Sequence, residues 1–182
     1  MSFQFKKFGV QALAAATLAS ILLVTPGIAQ KAGTFAKYSG NWTGNGLIYL
    51  ANGSKERIRC RGGFTSADMA NVSTLKLELR CAGDAYNFEL QSELNYNASG
   101  LSGTWTEITR GVNGRVSGTV SEEKINAVAE SQTFTATLEL INLGDKQQVR
   151  ITSPGSEMTD VLIGLVRSGG ARPSQPQQPP TQ

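Results

Sequence analysis

From Ser39 to Arg167 apolar and polar positions alternate with a period of two, the pattern of strands with one buried and one wet face. The clearest stretch is 86–96. There Tyr86, Phe88, Leu90, Leu94 and Tyr96 share one face, and Asn87, Glu89, Gln91, Glu93 and Asn95 the other. The same split places Leu75, Leu77, Leu79 and Cys81 opposite Lys76, Glu78 and Arg80. It also places Ile58, Cys60 and Phe64 opposite Arg57, Arg59 and Arg61, and Phe134, Ala136, Leu138 and Leu140 opposite Thr135, Thr137 and Glu139. Turn chemistry punctuates the runs at Asn52-Gly53-Ser54, Ala82-Gly83-Asp84, 97–100, Asn113-Gly114, 142–145 and 153–156. Between the turns the pattern predicts about ten strands, at 40–51, 55–65, 72–82, 85–96, 100–110, 114–120, 125–130, 133–142, 146–152 and 159–167. An all-β antiparallel up-and-down meander of this length removes its exposed edges by closing into a barrel. A two-sheet β-sandwich is the alternative.

The first residues follow a different rule. Lys6 and Lys7 precede an apolar run from Val10 to Val24, and small residues at Gly27 and Ala29 fit a signal-peptidase site. The run is about 15 residues, short of the ~20 a membrane-spanning helix needs. The expectation is a secretory signal at 1–29, a lead at 30–37, a barrel at 38–167 and a disordered Pro/Gln-rich tail at 168–182. No membrane span remains after cleavage, and the protein is expected in the periplasm or secreted. The tail contains Pro173-x-x-Pro176 and Pro176-x-x-Pro179, a groove-binding spacing that in this composition reads first as a solvated spacer.

Charge changes the picture only slightly. The full chain carries 17 basic and 14 acidic residues. Removing 1–29 takes away two Lys and no acid, leaving a net charge of +1. No nucleic-acid footprint follows from that. The absence of His is more informative, because it removes the usual neutral-pH general base, the commonest metal ligand and every Ser-His or Cys-His dyad. The sequence offers no catalytic constellation, no metal site and no cofactor motif.

Four groups of residues carry candidate chemistry. A register that sets Cys60 opposite Cys81 also sets Gly62 across from Leu79 and Phe64 across from Leu77, so the two cysteines are expected to form one structural disulfide. Arg57, Arg59 and Arg61 project from one strand with Arg80 beside them, either as an anion-binding row or as a solvated face. Glu107 shares a face with Trp105. It either turns inward, with Arg110 and Arg115 the nearest cations although Arg110 should point outward, or is flipped out by a bulge. Trp42, Phe64, Tyr86, Phe88, Tyr96, Trp105 and Phe134 are the candidate interior, where a small apolar ligand would sit. Gly44, Gly46, Gly62, Gly103 and Gly118 on the same face leave unfilled volume or mark corners where strands bend.

Tyr-Ser-Gly-Asn-Trp-Thr-Gly (38–44), Glu-Arg-Ile-Arg-Cys-Arg (56–61), Leu-Arg-Cys (79–81) and Gly-Thr-Trp-Thr-Glu-Ile-Thr-Arg-Gly (103–111) resemble a group of uncharacterised short exported β-barrel proteins of alphaproteobacteria. The likeness implies a bacterial envelope location and adds no activity. The opening Gly40-x-Trp42 also resembles the first strand of lipocalin-like barrels, which bind apolar ligands in their mouths. Arg167 is the candidate for the Arg that those barrels stack on their Trp. The functional expectation is an exported non-enzymatic binding module for a small apolar ligand. The alternative is a periplasmic interaction or inhibitor protein, with an envelope protein as partner, acting through loops or the Arg57-Arg59-Arg61 row.

Overall fold

The computed structural model describes residues 33–169. The predicted signal and almost all of the predicted tail lie outside the described residues. Ten strands follow in chain order: β1 Gly40–Leu50, β2 Lys55–Met69, β3 Val72–Ala82, β4 Asn87–Asn97, β5 Gly100–Glu107, β6 Val112–Val120, β7 Lys124–Glu130, β8 Thr135–Asn142, β9 Lys146–Thr152 and β10 Met158–Arg167. Each pairs antiparallel with its neighbours in sequence, and β1 also pairs with β10, so the sheet is a closed barrel and not a sandwich. Every backbone ladder then has a partner on both sides.

The predicted alternation is the inside–outside alternation of the wall. In β2, Ile58, Cys60 and Phe64 are buried while Arg57, Arg59 and Arg61 are exposed. Cys60 pairs with Cys81, Gly62 with Leu79 and Phe64 with Leu77. The two cysteines form a disulfide, and in the chain-entropy model closing their loop stabilises the fold by about 3 kcal/mol. Gly53 and Gly111 hold φ near +84° and +66° in the β1–β2 and β5–β6 turns, a region that side-chain-bearing residues enter at a cost. Of the two readings offered for the inward glycines, the bend applies at Gly44, Gly103 and Gly118. A Cβ on any of them would collide with backbone of the adjacent strand, so the wall folds tightly there and leaves no free space.

One end of the barrel is plugged. Phe35 and Tyr38, around the short 3₁₀ turn Ala36–Tyr38, are fully buried against Trp42 and Tyr96 at the lower ends of β1 and β4. The Ala36 carbonyl takes the N–H of Ser39, but those of Lys37 and Tyr38 at the end of the turn have no backbone donor from it, and side chains from the strands supply them. Trp42 Nε1 and Gln147 Nε2 donate to the Tyr38 carbonyl at 3.0 and 3.2 Å, and Asn142 Nδ2 to that of Lys37 at 2.8 Å. Arg167 donates to the carbonyls of Ser39 and Lys37 and lays its guanidinium 4.3 Å from the centre of the Trp42 ring. The expected lead at 30–37 is therefore, from Gly33 onward, part of the closure. Ser168, assigned to the tail, is still bonded to Asn41 through its backbone N–H.

Candidate ligand cavity

The plug occupies one end of the barrel, and the loops 83–86, 108–111, 131–134 and 153–157 lie at the other. Between them lies a cavity of about 280 Å³. Its deeper wall is aliphatic and aromatic: Phe64, Leu94, Val116, Ile125, Leu140 and Val149 all face it. The volume exists because β7 and β8 place small side chains side by side. Ala129 pairs with Ala136, and both, with Ala127, line the space. β1 contributes none of the lining; Ile48 and Leu50 are buried in the core off the cavity, as are Ile58, Cys60 and Cys81. Trp105 and Phe134, with ring centres 5.7 Å apart, stand on the upper wall.

Polar groups gather at the mouth. Glu107 is inward and 9% exposed. Its Oε1 accepts from the backbone N–H of Glu89 and Thr109, both at 3.0 Å, and its Oε2 from that of Arg110 at 2.8 Å. Burial alone would raise its pKa, but these hydrogen bonds to the ionised form outweigh it and hold the carboxyl below its ordinary value. The carboxylate thus caps the turn that ends β5, which is why that strand stops at Glu107 and short of the predicted 110. Arg110, expected to point outward, instead lies on the rim, its Nη1 3.1 Å from the Asn87 carbonyl and 3.5 Å from Glu107 Oε2. Ser153, Ser156, Glu157 and Met158 complete the mouth from the β9–β10 loop. Ser153 is 6% exposed, and its hydroxyl has no hydrogen-bond partner among the described residues.

The seven aromatic candidates divide. Phe64, Phe88, Trp105 and Phe134 line the cavity. Trp42 is buried in the plug below it, between Phe64 and Arg167. Tyr96 packs on Phe35 at 6.4 Å, likewise in the plug and off the cavity. Tyr86 precedes β4 and packs partly buried against the core, off the cavity. Its hydroxyl reaches Glu157 at 2.7 Å above the barrel, and its N–H donates to Glu56. Period-two counting carried these residues inward because it has no means of telling one end of a barrel from the other, nor where a strand yields to its loop.

The arginine row lies wholly outside. Arg57, Arg59 and Arg61 are exposed and have no ion-pair partner among the described residues, whereas Arg80 pairs with Glu89 at 3.0 Å. Arg57 and Arg59 border a broad depression of about 1210 Å³ on the outer face of β8, β9, β10, β1 and β2, together with Leu47, Arg150 and Leu162. Its lining mixes polar and apolar groups in similar measure, whereas the interior cavity is lined almost wholly by apolar side chains, as a site for a small apolar ligand requires.

No protein-family model and no curated protein matches the chain. Among solved structures it is similar to an S-type phycobiliprotein lyase from Guillardia theta, with a TM-score of 0.53 and 10% identity over 75% of this chain and 92% of that one. Likeness at that identity shows a shared barrel and no shared activity.

Proposed function

We propose that the protein is an exported, non-enzymatic barrel that holds a small apolar ligand in its interior. The apolar cavity, open at one mouth, carries this reading. A space walled by Leu, Ile, Val, Ala and Phe, with its polar groups, Ser92 of mid-β4 apart, gathered at one mouth, is the usual form of a small-molecule site. Export is supported by the Lys6-Lys7 and Val10–Val24 pattern and by the disulfide, which persists in oxidising compartments. Among the described residues no helix is long and apolar enough to cross a membrane. The likeness to the short alphaproteobacterial proteins fits a periplasmic setting. The lack of His leaves Glu107 as a lone inward carboxylate already committed to backbone donors, which supports binding over catalysis.

The test is titration of the mature protein with the neutral probe N-phenylnaphthylamine, read by probe and tryptophan fluorescence. Phe88→Ala is expected to weaken binding by about tenfold or more, since an inward ring supplies ~2 kcal/mol of burial, and Arg59→Ala to leave it unchanged. Absence of binding would remove the reading. In its place would stand an interaction protein using the exposed guanidinium groups of Arg57, Arg59 and Arg61, whose lack of ion-pair partners among the described residues favours an acidic protein partner.

A further inference from the structure

The mouth carries information about the polar end of the ligand, and the inference rests on the cavity reading above. Three side chains that line the cavity are ionisable: Glu107, Arg110 and Glu157. Glu56 adds a third carboxylate at the rim, where it accepts from the backbone N–H groups of Ala85 and Tyr86. Against these stands one guanidinium, and Arg110 already directs Nη1 at the Asn87 carbonyl and at Glu107. A ligand carboxylate reaching Arg110 would lie beside Glu107 and near Glu157, so the attraction of one charge is met by the repulsion of two.

The hydrogen-bonding capacity left over points the same way. Glu157 Oε1 takes the Tyr86 hydroxyl, leaving Oε2 as an acceptor on an exposed side chain. Four residues earlier in the same loop, the Ser153 hydroxyl is buried against the cavity with no partner among the described residues. The neighbouring Ser156 hydroxyl is already occupied by the carbonyls of Ser153 and Met158, at 2.9 and 2.7 Å. Two further sets of donors line the cavity without a partner among the described residues: the buried Trp105 Nε1, which lies against Gly114 on β6, and the remaining N–H groups of Arg110, which sit beside Glu107. On the β9–β10 loop itself the open capacity is an acceptor carboxylate and one hydroxyl.

We propose that the cavity takes an apolar chain ending in a non-anionic hydrogen-bond donor, an alcohol or an amine, seated between Ser153 and Glu157, and that it discriminates against the corresponding carboxylate. Displacement of N-phenylnaphthylamine by dodecanol, dodecylamine and dodecanoate at low salt tests this directly, because the three differ only in head group. The alcohol and the amine are expected to displace the probe at concentrations about tenfold below dodecanoate, with the amine's margin shrinking as salt is raised. Glu157→Gln, which keeps an acceptor for Tyr86 and removes the charge, is expected to close most of the gap between amine and carboxylate. Ser153→Ala is expected to weaken the alcohol about threefold or more by removing its hydrogen-bond partner. If the probe binds and dodecanoate displaces it as well as the others, or if neither variant alters the order, the head-group assignment is overturned while the cavity reading stands. If the probe does not bind at all, both fall.

Discussion

Glu107 shows how a residue that breaks the inside–outside rule is made tolerable. A buried carboxylate without partners would cost several kcal/mol or take up a proton. Here three backbone N–H groups accommodate it. The sequence placed this residue on the Trp105 face and left its partners open. They come from the turn it caps and from Glu89, which reaches it only because Leu90 pairs with Glu107 across β4 and β5. That pairing is a property of the closed sheet, so no local pattern reveals it. Glu107→Gln retains one acceptor and turns an amide donor toward N–H groups, and is expected to cost about 2 kcal/mol at neutral pH, by urea unfolding. The sign of the pH effect follows from the lowered pKa. The ionised form is favoured in the folded state, so the stabilisation is present above the unfolded value and is lost as pH falls through the folded one. Below about pH 4 the wild-type chain should therefore lose stability faster than the Gln variant, and parallel acid limbs would show that the carboxylate contributes nothing.

Among the elements, those written by alternation and turn residues were legible, and those held by distant contacts were not. The β2–β3 register could be read because two cysteines and a Phe–Leu pair had to agree on it. β2 runs on to Met69, past the predicted 65, because its ladder with β3 continues to Val72 after the apolar alternation has ended. The segment ahead of β1 has no period-two signal at all, yet Phe35 and Tyr38 are among the most completely buried side chains in the described residues. Their burial depends on Arg167, which lies well over a hundred positions away and clamps the turn carbonyls while stacking on Trp42. Arg167→Ala should cost about 2–3 kcal/mol, from a partly desolvated cation–π contact and two hydrogen bonds. Arg167→Lys should recover less than half of that, because an ammonium lacks the planar fork that serves both carbonyls and the ring. Urea midpoints of the two variants decide it, and equal stability of the Lys variant and the wild-type chain would show that charge alone suffices.

At the scale of the whole barrel, packing and emptiness are divided between regions of one interior. The plug, β1 and the disulfide form a filled core, while the space bounded by β7, β8 and the mouth is left open by Ala127, Ala129 and Ala136. Composition hinted at unfilled volume through the inward glycines. Those at Gly44, Gly103 and Gly118 prove to serve bending, and the opening comes from alanines that alternation alone treats as ordinary core. Proteins close-pack their interiors, so a void walled by side chains that a larger residue would fill is either a defect or a site. Ala136→Leu separates the two. Added methylenes entering existing space should stabilise the barrel by about 1 kcal/mol, visible as a rise in Tm of a few degrees, because each buried CH₂ contributes ~0.8 kcal/mol before rotamer and strain costs. The same substitution should reduce N-phenylnaphthylamine binding by more than about tenfold, since the added side chain and the probe compete for one volume. A stabilised variant that no longer binds is the outcome expected of a site kept open at the expense of stability. A variant that binds as well as the parent chain would place the probe outside the barrel and move attention to the outer face along Arg57, Arg59 and Arg61.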